Sequence, residues 1–161
     1  MNGLSTDDTL VRLKIRLRQE EQRAGVRAEA VWAQPVSSSP PLFLLRNVPM
    51  FARGLNFGDI VTAEMQNGSL VYGHVVERSG HKTFWVVEDP AADGLRLERA
   101  WQVLESLGCR FEQSATGWVA VDVPPETDFG FVRGFLNDQT KQGIWFVEES
   151  YPNTIANSYI H

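Results

Sequence analysis

The sequence predicts a mixed α+β fold, in which an N-terminal antiparallel β-meander or partial barrel packs on a C-terminal ferredoxin-like βαββαβ unit. Residues 10–88 carry short runs of alternating apolar and polar side chains separated by turn residues, a pattern typical of antiparallel strands. Residues 81–149 then alternate strand-like and helix-like apolar patterns in the order strand, helix, strand, strand, helix, strand. Such a fold hosts many unrelated functions, so it names none by itself.

The first predicted strand covers residues 10–17, where apolar side chains alternate with Arg12, Lys14 and Arg16. A period of two indicates a half-buried strand, here with a basic solvent face. The same reasoning predicts strands over residues 26–33, 42–48, 60–66 and 69–78, with a surface loop at 37–41.

Two tight turns are predicted in the middle of the chain. Asn67-Gly68 is typical of a two-residue hairpin, and Ser79-Gly80 offers a second turn into a strand over residues 81–88. The resulting register places Glu77 opposite Lys82, an opposite-charge pair. In this interpretation the strand 81–88 belongs to both sheets or bridges them.

The C-terminal half is predicted from its apolar stripes and capping residues. Gly130 and Gly134 lie four residues apart on one helical face, which predicts a close backbone contact there. The last strand is apolar on both faces, so we expect both faces to be covered. The predicted elements are a helix over 95–107, a hairpin of strands 109–113 and 118–123, a helix with Thr127 as its N-cap that runs to about Asp138, and a strand over 144–148.

The predicted domain organisation follows from these elements. Its parts are a disordered tail (1–9), a β-rich subdomain (10–88), a ferredoxin-like subdomain sharing strand 81–88 (81–149), and a C-terminal tail (150–161).

Composition narrows the compartment and the partners. The chain has no long apolar run and a single cysteine, Cys109, which indicates a cytoplasmic protein without membrane contact or an internal disulfide. Its net charge is −5, and residues 89–161 hold five Lys/Arg against eleven Asp/Glu. An acidic half argues against nucleic-acid binding, because a protein binds nucleic acid largely by neutralising its phosphates with basic side chains. A protein or a small molecule is the expected partner, and a homo-oligomer stays open.

Candidate ligand-binding residues cluster around the two predicted turns. A nucleophilic role for Ser79 lacks the strand–elbow–helix context of a hydrolase, so we interpret it as a turn residue. Asp59 is expected to satisfy local N–H groups more than to act as a base. Cys109 is expected to be a small buried hydrophobe. The candidate ligand-binding set is Asp59, His74, Arg78, Ser79, His81 and Trp85, with Glu77 beside it.

Metal and nucleotide motifs are missing from the sequence. It holds no paired ligand spacing such as CxxC or HExxH, and no GxGxxG or P-loop spacing. We therefore expect no metal, no cofactor and no assigned catalytic residue.

Three phrases together carry a family resemblance. They are Leu44-Leu45-Arg46-Asn47-Val48-Pro49, Leu55-Asn56-Phe57-Gly58-Asp59-Ile60-Val61 and Val76-Glu77-Arg78-Ser79-Gly80-His81. In this order the chain resembles, over roughly residues 10–149, the bacterial family called domain of unknown function 4265. The resemblance implies a small cytosolic bacterial protein, and it carries over no catalytic residue.

The absence of a strong catalytic constellation in the sequence favours a non-enzymatic binding or accessory protein. Its cleft is expected between the two halves, with Arg78, His81 and Trp85 at the rim. One alternative is an immunity or antitoxin-like protein that blocks a basic partner through the acidic half. The other is a small hydrolase or transferase using His81 with Asp59 or Glu77.

Overall fold

A computed structural model describes residues 9–114 and 116–150, which form two compact units that meet in sequence at Ser79 and Gly80. The first unit is built from strands and the second from strands and two helices, so the predicted mixed α+β class is confirmed. The predicted tails, 1–9 and 150–161, lie outside the described residues except for Thr9 and Ser150. No helix in the described part of the chain is long and apolar enough to cross a membrane.

The first unit is a closed five-stranded barrel. Its strands follow one another around the barrel in chain order, and β1 meets β5 through a parallel pairing of Lys14 with Val71. A meander with an odd number of strands has its first and last strands running the same way, so the closing pair must be parallel. The predicted partial barrel is thus fully closed. Its strands are β1 (Val11–Arg16), β2 (Ala28–Ser38), β3 (Pro41–Leu45), β4 (Ile60–Gln66) and β5 (Ser69–Glu77).

The barrel core confirms the alternation in β1. Leu13 and Ile15 are buried inside the barrel, whereas Arg16 is exposed. β2 continues into the predicted surface loop at 37–41, because a bulge between Pro35 and Ser37 lets the strand accommodate a proline.

The second unit has the predicted βαββαβ order. Its four strands form one antiparallel sheet in the order β7-β8-β6-β9, and both helices contribute to the apolar core on one face of that sheet. Asp93 caps the first helix by accepting the Leu95 N–H at 2.8 Å. The elements are β6 (Lys82–Glu88), α1 (Gly94–Ser106), β7 (Arg110–Gln113), β8 (Val119–Val123), α2 (Phe129–Lys141) and β9 (Trp145–Glu149).

The predicted sharing of strand 81–88 between two sheets is wrong. β6 pairs with β8 along one edge and with β9 along the other, and Lys82 is the register partner of Val123. β5 uses its own edges for β4 and β1, so the expected pairing of Glu77 with Lys82 does not form. A strand with both edges occupied has none left for a third neighbour.

The second helix differs from its prediction in two respects. Its N-cap is Asp128, which accepts the Phe131 N–H at 3.1 Å, and Thr127 stands one residue earlier. Gly130 and Gly134 are both exposed, and a side chain at Gly134 would meet nothing within 4 Å. The expected close backbone contact is therefore wrong, because the buried face of the helix is the one that carries Val132 and Leu136.

The described residues, 9–114 and 116–150, cover the last strand on one face only. Trp145 is 1% exposed in the core, whereas the next residue, Phe146, is 55% exposed. The prediction that both faces are covered is wrong, because neighbouring strand residues point to opposite faces and the Trp145 side packs in the helix-covered core.

Candidate functional site

Asp59 anchors the end of β5 to the loop before β4. Its carboxylate is 0% exposed; Oδ2 accepts the Asn56 N–H at 3.0 Å and Oδ1 accepts the Ser79 N–H at 2.9 Å. Arg78 Nη1 lies 3.7 Å from Oδ2 and also donates to the Gly54 carbonyl. The bond to Asn56 confirms that Asp59 satisfies local N–H groups.

Ser79 strengthens the same anchor with its side chain. The hydroxyl donates to the Phe57 carbonyl at 2.6 Å. The structure therefore brings together three predicted site residues, Asp59, Arg78 and Ser79, and engages their polar groups with backbone. We define these three residues as the Asp59 anchor.

A second carboxylate holds the neighbouring loop. Glu29 Oε2 accepts the Met50 N–H at 2.9 Å, and Oε1 accepts the N–H groups of Phe51 at 3.0 Å and Ala52 at 2.8 Å. Burial raises the pKa of Glu29, and these three bonds oppose that rise. Sequence reasoning missed this residue, because no local sequence pattern indicates that a glutamate in a strand will accept hydrogen bonds from a distant loop.

The predicted residues His74 and Glu77 are exposed on β5. His74 Nδ1 lies 3.2 Å from the Thr62 hydroxyl on β4, and the same hydroxyl oxygen accepts the His74 backbone N–H at 3.1 Å. Glu77 is the register partner of Ile60. Both contacts belong to strand pairing within the barrel.

His81 lies in the second unit and pairs with a residue that sequence reasoning missed. Its Nδ1 is 2.8 Å from Oδ1 of the buried Asp122, and Arg110 Nε is 3.6 Å from Oδ2. Burial raises the pKa of Asp122, while the hydrogen bond and charge of His81 and the charge of Arg110 lower it. The signal for Asp122 is an aspartate inside the apolar strand 119–123.

Trp85 and Cys109 are both buried in the second unit. Trp85 lies on β6, where its register partners are Ala120 of β8 and Glu148 of β9, and its burial does not support a place at the rim of a cleft. Burial raises the pKa of the Cys109 thiol to about 11, with the Asp122 charge as a smaller cause. The thiol therefore stays protonated near neutral pH, which does not suit a nucleophile.

The second unit also contains a cleft of about 350 Å³ that sequence reasoning missed. It lies between α1, the end of β6, and the β7–β8 hairpin. We call it the aromatic cleft. Its lining includes three aromatic side chains, one carboxylate and two uncharged polar side chains: Trp101, Phe111, Trp118, Glu88, Gln113 and Ser114.

The ring of Trp101 is held in place from several sides. Its Nε1–H donates to Glu88 Oε2 at 2.7 Å. Its centroid lies 5.0 Å from that of Phe111 in an edge-to-face contact at 75°, and 4.8 Å from that of Trp145. The sequence shows Trp101 only as one apolar residue of a predicted helix, because the residues that make it part of a cleft belong to other elements.

A metal site is not formed by the described residues. Nowhere in 9–114 or 116–150 do three or more His, Cys, Asp or Glu side chains come close enough to hold an ion. The arrangements that the described residues do form include the Asp59 anchor, the Glu29 contacts, the His81–Asp122 pair and the aromatic cleft.

Barrel and βαββαβ unit together define a two-unit α+β protein with an aromatic cleft in its second unit. The sequence matches the family described as Domain of unknown function (DUF4265) over residues 29–147, well over half the chain. The chain therefore belongs to the DUF4265 family, which confirms the resemblance.

One solved structure shares the fold. It is a hypothetical protein from Neisseria gonorrhoeae, 21% identical, with a TM-score of 0.73 over 89% of this chain and 95% of that chain. At this identity the likeness shows the fold alone. No curated protein matches the sequence.

Proposed function

We propose that this chain is a non-enzymatic, cytoplasmic binding protein whose ligand is a small molecule held in the aromatic cleft. The observation that carries the proposal is the cleft itself. Its volume of about 350 Å³ falls within the range of about 300–1,000 Å³ for small-molecule sites, which combine aromatic walls with a few placed polar groups. The ring of Trp101 and the carboxylate of Glu88 are already joined, so part of the site is formed before any ligand arrives.

The polar groups of the Asp59 anchor support a scaffold role for the barrel. The Ser79 hydroxyl donates to a backbone carbonyl, and both oxygens of Asp59 accept backbone N–H groups. Groups engaged in this way hold loops in place and would have to break those bonds before acting on a substrate. The proposal therefore assigns ligand binding to the second unit and loop anchoring to these residues.

Tryptophan indole signals offer a direct test, because the chain has five tryptophans in distinct surroundings. We would screen a small-molecule fragment library against isotope-labelled protein and follow the five indole N–H resonances. Binding in the aromatic cleft should shift the resonances of Trp101 and Trp118. Trp32, which is 40% exposed on the barrel, is the internal control and should not move.

A matched pair of variants completes the test. Trp118→Leu should weaken every ligand found in this way, whereas Trp32→Leu should leave their affinities unchanged. A library that shifts neither Trp101 nor Trp118, or ligands that bind Trp118→Leu as tightly as the wild type, would refute the aromatic cleft as the binding site.

A further inference from the structure

We infer that the aromatic cleft selects a small organic cation with methyl groups on its nitrogen, the chemistry of a trimethylammonium headgroup. This inference rests on the binding function proposed above and specifies its ligand class.

Aromatic faces supply the first part of the recognition. Two tryptophans and a phenylalanine line the cleft, and tryptophan is the side chain whose face attracts cations most strongly. A quaternary ammonium has no N–H to donate, so it gains little from ordinary hydrogen-bond acceptors. Its charge is spread over methyl groups that pack against rings, which is why cages of aromatic side chains suit it.

A carboxylate supplies the second part. Glu88 is exposed at the end of β6, and its Oε2 accepts the indole N–H of Trp101. A carboxylate has room for about four hydrogen bonds, so this bond orients it without exhausting its capacity. The negative charge thus stands at a defined place beside the rings, where a cation is attracted and an anion repelled.

The charge of the surroundings points the same way. The described residues that line the cleft include no Lys or Arg, and residues 80–150 hold six Lys/Arg against twelve Asp/Glu. Such a balance raises the local concentration of cations. A neutral aromatic ligand would use the rings alone and would cover Glu88 without compensating its charge, which is costly.

The test compares choline with its neutral carbon isostere, in which a tert-butyl group replaces the trimethylammonium group. The two have nearly the same shape, so a difference in affinity reports the charge. We expect choline to shift the indole resonances of Trp101 and Trp118 and to bind at least about tenfold more tightly than the isostere. Tetramethylammonium, the headgroup alone, should shift the same two resonances.

Variants assign the effect to the two components of the cleft. Trp118→Leu should weaken choline binding by about 2-fold to 30-fold, the range expected for one cation–π contact. Glu88→Gln keeps an oxygen for the Trp101 indole but removes the charge, so choline should weaken while the isostere does not. Asp138→Asn removes the same charge at an exposed position of α2 and should change neither affinity.

The outcomes separate this inference from the proposed function. If the isostere binds as tightly as choline, selection for a cation is refuted, and the proposed binding function then depends on the ligands found in the fragment screen. If neither these probes nor the fragment library shifts Trp101 or Trp118, both fall. An acetylated trimethyllysine amide, tested beside choline, distinguishes the source: tighter binding of that amide assigns the headgroup to a modified protein side chain, and tighter binding of choline assigns it to a free metabolite.

Discussion

His81 Nδ1 lies 2.8 Å from Oδ1 of Asp122, a carboxylate that is 2% exposed in the middle strand pair of the second unit. The two residues are 41 positions apart in sequence, and their contact joins the start of β6 to β8. Arg110 approaches the other oxygen of the same carboxylate at 3.6 Å. A buried acid is thus held between an imidazole and a guanidinium.

The first prediction is that His81 and Asp122 are energetically coupled. A double-mutant cycle of His81→Ala and Asp122→Asn, measured by urea unfolding, should give a coupling free energy of about 0.5–3 kcal/mol, as expected for partners in one buried network. The control cycle uses Arg133 and Glu149, a more exposed pair with an N–O distance of 2.6 Å. That cycle should give at most about 1 kcal/mol, because solvent screens surface ion pairs. A coupling free energy below about 0.5 kcal/mol for His81 and Asp122 would contradict the buried contact.

The second prediction concerns pH. Burial raises the pKa of Asp122 in the folded protein above its ordinary value of 3.8, so the folded state binds this proton more tightly than the unfolded chain does. The protonated carboxyl therefore contributes its full stabilising free energy at pH values below 3.8. This contribution is lost as the pH rises through the pKa of Asp122 in the folded state. Asp122→Asn lacks the titrating group. The free energy of unfolding of the wild type minus that of Asp122→Asn should therefore fall as the pH rises through this window.

Urea unfolding at a series of acidic to neutral pH values measures that difference directly. A difference that rises with pH would mean that His81 and Arg110 outweigh burial and that the pKa is lowered instead.

The third prediction separates the parts of the Asp59 anchor. Asp59→Ala leaves two backbone N–H groups without their acceptor and should lower the free energy of unfolding by about 2–5 kcal/mol. Ser79→Ala removes one hydroxyl bond to a carbonyl and should cost only about 0.5–1.5 kcal/mol. Thermal or urea unfolding of both variants measures the order. An Asp59→Ala variant as stable as Ser79→Ala would show that the carboxylate does not anchor the loop.

The fourth prediction tests the two faces of β9. Trp145→Ala empties a large core position and should destabilise the protein by about 3–5 kcal/mol. Phe146→Thr, one residue further, replaces an exposed ring by a residue that suits strands, and should change the free energy of unfolding by about 0.5 kcal/mol or less. A large loss of stability at Phe146 would show that a covering surface protects that face in solution.

The fifth prediction concerns the thiol of Cys109, whose pKa is raised to about 11. At neutral pH only about one thiol in ten thousand is then ionised, and the thiolate is the reactive form. Native protein should react with iodoacetamide at least about 100-fold more slowly than protein unfolded in urea at the same pH. Mass spectrometry of quenched samples gives both rates. Equal rates would show that the thiol is accessible and ionises normally.

The order of elements could be predicted because each depends on a local pattern. The alternation in β1 and the Asp93 cap of α1 both lie within a few residues. The partners of β6 could not be predicted in this way, because β6 is a nearly continuous apolar run, and such a run does not indicate which strands will pair with it. The turn at Ser79-Gly80 suggested a hairpin, but both edges of β6 are taken by strands that follow it in the chain.

The site residues divide along the same line. Asp59 was predictable as a turn-forming residue because its partner Asn56 lies three residues away. Asp122 and Glu88 were missed, since their partners His81 and Trp101 are reached only after the sheet and helix have packed. Side chains acquire these roles through tertiary contacts, and a pattern of residue types along one segment does not predict such contacts.

The parallel closure of the barrel gives that unit a seam. β1 and β2 pair through six residues of each strand, whereas β1 and β5 pair through Lys14 and Val71. These two residues lie near opposite ends of the stretch of sequence that forms the barrel. Because bringing distant parts of a chain together costs entropy, this closing contact should form after the antiparallel hairpins. We also expect the barrel to open first at this pairing: local unfolding would separate β1 from β5 and briefly turn the closed barrel into an open, curved sheet.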